Sequence, residues 1–312
     1  MCTCITYLNN DLYFGRNLDL DCSFGETVTI TPRNFPLVFR QTGQQDHHYA
    51  MIGMATACDS FPLYAEAVNE KGLAMAGLNF PGNASYKKAV GEGLELASFE
   101  IIAWILGKCA SVAEAEEYLG EMKITDTAFS DRMPPAPLHW MLADREKCLV
   151  IEAVEEGLKV YENPFGVLTN NPPFEYHRMN MNNYMNLTAE NPQNRLSDKL
   201  DLKPYAQGMG AIGLPGDASS TSRFVRAAFL KWNSVAPEEE KASVSQFFHI
   251  LDSVAMVRGA VVTEQGTYDI TTYSCCVNTR TGVYYYKTYD DSRVRAVDMH
   301  ETDLEGSALI QK

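Results

Sequence analysis

The sequence predicts an α+β protein of four layers, with helices outside two stacked, mainly antiparallel sheets. Three observations point there. The first 90 residues read as a run of hairpins. The apolar spacing turns helical near residue 94 and again near residue 220. Strand-like patterning returns at 138 and at 269. Sheets with an apolar face need cover, and helix pairs supply it.

The elements follow in order. Cys4–Leu8 reads as a strand, Asn9-Asn10-Asp11 as a turn, and Leu12–Leu20 as the returning strand, because Asn and Asp tolerate positive φ. Thr27–Thr31 alternates polar and apolar residues. Tyr49–Ala57, Leu63–Val68 and Leu73–Asn79 continue the hairpins, the last two joined by a turn at Asn69–Gly72. Leu94–Lys108 carries Phe99, Ile102, Ala103 and Leu106 at helical spacing. Ser111 and Glu114 form a capping-box pattern, which predicts a second helix to about Met122. Three prolines make Ser130–Pro137 a loop.

Strands are then expected at Leu138–Ala143, Cys148–Val154, Leu158–Tyr161 and Gly166–Asn170. Pro172-Pro173 opens a helix over Phe174–Tyr184. Residues 187–218 read as a long irregular connection, of the kind that is usually functional or mobile. The serines and threonine at 219–222 supply caps for a helix through Arg223–Trp232, and Val244–Met256 follows as another. Asp269–Val277, Val283–Tyr289 and Val294–Asp298 close the chain as strands. No linker, repeat or composition shift divides the sequence, so one domain over 1–312 is expected.

Composition excludes several classes. With 26 Lys plus Arg against 40 Asp plus Glu, the net charge is −14, which argues against a nucleic-acid binder. Apolar residues reach 46%, too many for a disordered chain. The eight cysteines show no C-x-x-C spacing and read as mostly buried, reduced thiols. No signal-like segment or membrane span is visible, so a soluble, cytoplasmic protein is expected.

The chemistry is sought at the amino terminus. Loss of Met1 would leave Cys2 first, with a thiol and a free α-amine on one residue. Reference pKa values of about 7.7–8.0 for an α-amine and about 8.5 for a thiol let the amine take the thiol proton near neutral pH. The competing reading is an ordinary cysteine near a start codon. Arg16 and Asp19 lie on the strand that the Asn9–Asp11 turn folds back beside Cys2. A cation beside a thiol favours thiolate, and a carboxylate orients an amine. In a regular strand, however, Arg16 and Asp19 point to opposite faces. Either the strand ends or bulges there, or only one of them serves the site.

The segments MCT, FGRNLD, ITPRNFP, NEKGLAMAGLNFPG, LHWMLAD, GVLTNNP, GLPGD, SRFVRAAFL, FFHILDSVAMVRG and YSCCVNTRTGVYYY, in this order along nearly the whole chain, resemble the choloylglycine hydrolase family. Its members are conjugated bile salt hydrolases and penicillin V acylases, and the resemblance is greatest to bile salt hydrolases of Gram-positive intestinal bacteria. It implies the αββα fold of the N-terminal nucleophile hydrolases and a domain of 2–312 after Met1 is lost. It implies Cys2 as nucleophile, Arg16 as its contact, Asp19 as partner of the new amine, Asn79 and Asn170 as oxyanion donors, and Arg223 completing the site. Without the resemblance, Asn79 and Asn170 read as turn or cap residues.

The same resemblance places Leu18, Leu20, Phe24, Phe129 and Met133 along a sterol pocket; core packing is the rival reading. An Asn at 79 favours bile salts over penicillin V, where relatives often carry Tyr. Cys58 stands where some relatives place a pocket aromatic. The implied partner is a small molecule, neither nucleic acid nor membrane, and the implied assembly is a homotetramer. Two alternatives stand beside bile salt hydrolysis: an acylase for penicillin V or N-acyl homoserine lactones, and a non-catalytic ligand-binding protein on the same scaffold.

Overall fold

A computed structural model describes residues 1–58 and 60–312 of the chain. The first sheet has six strands, in the order Val167–Leu168, Cys2–Asn9, Asp11–Leu20, Ile270–Asn278, Val283–Thr288 and Arg295–Asp298. The second has eight, in the order Gly157–Glu162, Cys148–Val154, Leu138–Ala143, Ala74–Asn79, Phe61–Asn69, Met51–Cys58, Thr27–Thr31 and Ile310–Gln311. Neighbours pair antiparallel throughout both sheets.

Alternation within the strands sets the layers. In Leu138–Ala143, Met141 and Ala143 join an apolar cluster with Phe14, Leu18, Tyr273 and Val277 of the first sheet. Trp140 and Leu142 turn the other way, onto the helices Ile101–Lys108 and Val112–Leu119. Helices Ser220–Asn233 and Glu240–Asp252 cover the outer face of the first sheet through Phe224, Phe247 and Leu251. Helix, sheet, sheet, helix is the predicted order, and a period of two sends successive side chains to the two sides of each sheet.

Local chemistry explains the turns and caps. Asn10 takes a φ of 61° in the first hairpin turn. Ser111 Oγ accepts from the Glu114 amide at 3.2 Å, while the Glu114 carboxylate accepts from the Ala110 amide at 2.7 Å. Ser219 Oγ caps the Ser220–Asn233 helix through the Ser222 amide. Gly15 is needed where two backbones nearly touch: a Cβ there would lie 2.0 Å from the Cys275 carbonyl oxygen.

Some boundaries differ from expectation. The helix expected from Leu94 begins at Ile101, because Glu95–Ala97 is a strand paired in parallel with Lys123–Thr125. Glu100 ends that strand by accepting the Ala97 amide at 2.8 Å and the Arg40 amide at 2.6 Å. The later helices start earlier than their apolar spacing indicates, at Ser220 and Glu240, since their first turns are polar. A short hairpin of Leu37–Phe39 with Gly43–Gln45 was not anticipated. Residues 187–218 hold no regular element beyond a 3-10 turn at Met209–Ala211. No helix among the described residues is long and apolar enough to cross a membrane.

Candidate active site

Cys2 opens the first strand. It lies opposite Leu18, and Cys4 lies opposite Arg16, so all four side chains share the face between the sheets. Cys2 and Cys4 are both buried, and burial pushes the Cys4 thiol well up.

Arg16 is fully buried yet carries a charge, and burying an unpaired charge is costly. It reaches across to the second sheet. Nη1 donates to the Gly77 carbonyl and, at 3.1 Å, to the Ala65 carbonyl; Nε lies 3.8 Å from Glu66 Oε2. The strand register slips so that Ala65 has no partner opposite it, between the Met54–Glu66 and Ala55–Tyr64 pairs. Nη2 of Arg16 is buried without a hydrogen-bond partner. Burial alone would lower the Arg16 pKa; the neighbouring Cys2, Tyr273, Glu66 and Cys4 outweigh it and raise it.

Asp19 resolves the difficulty posed by its spacing. Its strand runs uninterrupted from Asp11 to Leu20, so Asp19 does face away from Arg16, toward the helical layer. The irregularity sits instead on the neighbouring strand, between Thr271 and Tyr273. It lets Thr271 pair with Asp19 while Tyr273 pairs with Leu18. Thr271 Oγ1 donates to Asp19 Oδ1 at 2.6 Å, and Oδ2 is buried without a partner. Burial raises the Asp19 pKa against the pull of Arg223. Both faces of one strand therefore flank Cys2. Met1 extends the pairing by one residue: its carbonyl accepts the Asp19 amide at 2.9 Å and its amine donates to the Asp19 carbonyl.

Asn170 follows the short Val167–Leu168 strand and ties the remaining parts together. Its Oδ1 accepts the Cys2 backbone N–H at 2.8 Å and Arg223 Nη2 at 2.8 Å. Its Nδ2 donates to the Asn79 carbonyl at 2.8 Å. Arg223, in the first turn of its helix, also donates Nη1 to the Cys2 carbonyl and, at 2.7 Å, to Thr3 Oγ1. Asn79 ends a strand of the second sheet; among the described residues its side chain makes no hydrogen bond, and its backbone oxygen makes the link.

The proposed pocket residues divide. Leu18 is buried beside Cys2, Leu20 is half-buried against the same cluster, and Phe24 is 63% exposed in the loop after the second strand. Phe129 and Met133 belong to the other apolar cluster, on the far side of the second sheet. The loop folds onto that side because Phe129 packs edge-on against Phe99, with ring centres 5.1 Å apart, and under Arg40. The structure thus does not bring all five to one wall.

Several buried polar groups went unread in the sequence. Glu66 accepts from Tyr273 Oη at 2.7 Å and from Tyr284 Oη, and stands as counterion to Arg16. His139, Glu152 and His177 pack behind Asn170. A lone charge in an apolar strand, as in FPLYAEAVN or LHWMLA, was the available signal. Among the described residues, no group of three or more His, Cys, Asp or Glu is placed to hold a metal ion.

Residues 2–312 match the family described as linear amide C–N hydrolases, choloylglycine hydrolase family. A bile salt hydrolase/transferase from Lactiplantibacillus plantarum is 50% identical over 310 residues, covering 99% of this chain and 96% of its own. One from Clostridium perfringens is 38% identical, covering 99% and 95%. The crystal structure of a variant of conjugated bile acid hydrolase from Clostridium perfringens superposes with a TM-score of 0.91 at 37% identity, covering 100% of this chain and 96% of that one. Penicillin V acylase from Agrobacterium tumefaciens, at 21% identity, shares the fold with a TM-score of 0.76. The chain belongs to the choloylglycine hydrolase family of linear amide C–N hydrolases.

Proposed function

We propose that this chain, after removal of Met1, hydrolyses the amide bond of glycine- or taurine-conjugated bile salts with Cys2 as nucleophile. The observation that carries the reading is the Cys2 nitrogen, held 2.8 Å from Asn170 Oδ1 at the junction of Arg16, Asp19 and Arg223. Relatives named bile salt hydrolase/transferase and conjugated bile acid hydrolase, 36–50% identical over nearly their full lengths, support the substrate class.

The reaction needs no metal or cofactor. The freed α-amine takes the thiol proton, directly or through one water, and the thiolate attacks the amide carbonyl carbon. Asn79 and Asn170 are the candidate donors to the resulting oxyanion; one such donor is worth about 2.7–4 kcal/mol where measured. The ammonium returns its proton to the leaving glycine or taurine nitrogen as the C–N bond breaks. Water then cleaves the thioester and releases the bile acid. The unpartnered Asp19 Oδ2 is an acceptor suited to the new ammonium, and the unpartnered Arg16 Nη2 a donor suited to the thiolate. Both arginines make the site locally positive for an anionic substrate, although the chain carries −14 overall. Leu18, Leu20 and Phe24 suit the sterol; Phe129 and Met133, packed in the other cluster, do not share that wall.

Two further readings accompany this one. The chain acts as one domain in a cytoplasmic homotetramer. Met185, Leu196, Leu200, Leu202, Tyr205 and Ile212 are exposed along the irregular segment after the third helix, and further copies would cover them. Light scattering should give about four times the 34.8 kDa chain mass, and a monomer would overturn this. Cell fractionation tests the compartment. The substrate is tested by turnover of glycocholate, taurocholate and penicillin V on one preparation. Faster cleavage of penicillin V, favoured by none of these residues, would replace the bile salt reading.

A further inference from the structure

His139 and Glu152 are cross-strand partners in the second sheet, and neither exposes any surface. Their side chains project into the space between the sheets, beside the loop that carries Asn170. His139 Nδ1 lies 3.0 Å from Glu152 Oε1, and Nε2 lies 2.9 Å from the Thr169 carbonyl oxygen. A backbone carbonyl can only accept, so Nε2 must carry hydrogen. Glu152 Oε1 also accepts the Phe174 backbone N–H at 3.0 Å, and one hydrogen shared between Nδ1 and Oε1 completes the pair. Phe80 stacks flat on the ring, with centres 4.3 Å apart and planes 5° from parallel, which fixes its orientation.

His177 makes the contrast. From the Phe174–Asn180 helix it reaches the next carbonyl, with Nε2 3.0 Å from Asn170 O. Its Nδ1 is buried without a partner, so one proton suffices there. Burial lowers its pKa to about 4. Two buried imidazoles thus hold two consecutive carbonyls, one backed by a carboxylate and one not. Their object is the residue whose amide bridges Cys2, Asn79 and Arg223.

We infer that His139, donating Nε2–H to the Thr169 carbonyl and held at Nδ1 by Glu152, is a positioning residue for the Asn170 amide. It touches neither substrate nor nucleophile; it acts by fixing where Asn170 stands. The role rests on the proposed hydrolase mechanism, whereas the hold on the Thr169 carbonyl does not.

The test has two arms. The first is 15N NMR of the histidine-labelled full-length enzyme at the assay pH, with His139→Gln to assign the signal. Nε2 of each ring should resonate as the N–H donor to its carbonyl. A bare Nε2 on His139 would overturn its hold on the Thr169 carbonyl, whatever the enzyme hydrolyses. The second arm is steady-state kinetics of Glu152→Gln, with Glu152→Asp as the conservative variant. Misplacing an oxyanion donor should lower kcat by about 10–100-fold and change KM by less than about 3-fold, and aspartate should restore most of the loss. An unchanged kcat, or a loss confined to KM, would overturn the positioning role. Should the glutamine variant not fold, the NMR measurement on the parent still decides whether His139 holds the Thr169 carbonyl.

Discussion

Arg16 and Asp19 stand three residues apart on one uninterrupted strand and project from its opposite faces, so that Cys2, at the end of the paired strand, has a cation on its thiol side and a carboxylate on the other. The two groups sit in different surroundings. Arg16 is anchored in the second sheet beside Glu66, and Asp19 lies under the helical layer beside Thr271 and Arg223. Their failures should therefore differ.

Asp19→Asn keeps the size of the side chain and the Thr271 contact but removes the charge proposed to orient the amine. It should lower kcat on glycocholate by about 100-fold or more, as for loss of an acid–base partner. The melting temperature should stay close to that of the parent, because a buried carboxylate with one unpartnered oxygen is replaced by a neutral amide. Kinetics and a thermal melt on the same preparation check both halves.

Arg16→Leu should damage folding as well as catalysis. It leaves Glu66 buried without its counterion, and breaking a buried ion pair from one side costs about 3–5 kcal/mol. Denaturant unfolding should read that loss. Lysine should recover only part of it, because Arg16 reaches two carbonyls with Nη1 and Glu66 with Nε of one planar fork. The double variant Arg16→Leu with Glu66→Gln should be more stable than Arg16→Leu alone.

What the sequence disclosed follows physical lines. The Asn9–Asp11 turn was legible because positive φ selects for Asn, and it set the register that puts Leu18 opposite Cys2. The opposed directions of Arg16 and Asp19 follow from a period of two. What Asp19 bonds to depends on the slip at Thr271–Tyr273, in a strand distant in sequence, which no local pattern records. Glu66 is the same kind of case: the unpaired Ala65 and two distant tyrosines decide its role. The proline-rich loop was legible as a loop, but its direction was set by Phe99 and Arg40, so Phe129 and Met133 ended among other neighbours than Leu18.

Acid stability should carry the signature of His177. Its pKa is lowered by burial to about 4, against about 6.5 in an unfolded chain. The unfolded chain binds the extra proton between those values, so this contribution is full above about pH 6.5 and is lost as pH falls toward 4. The swing is about 3 kcal/mol. His177→Gln, which keeps a donor for the Asn170 carbonyl, should flatten the fall of unfolding free energy between pH 6.5 and pH 4 relative to the parent. An unchanged slope would show that the burial of this ring does not govern it.

Phe129 and Phe24 should separate stability from substrate binding. Phe129→Ala empties an aromatic cluster shared with Phe61 and Phe99 and should cost about 3–5 kcal/mol. Phe24→Ala removes an exposed ring, so stability should change by less than about 0.5 kcal/mol. In the proposed pocket the same change should raise KM for both conjugates. Unfolding curves and glycocholate kinetics on the two variants give all four values.

The central claim is that Cys2, freed of Met1, is the nucleophile. It is tested most directly by glycocholate hydrolysis on protein whose intact mass has been determined, beside the Cys2→Ala variant. The expected result is an active parent lacking the mass of Met1 and an alanine variant with no turnover above background. An active parent that retains Met1, or an alanine variant that hydrolyses glycocholate at the parental rate, would contradict it.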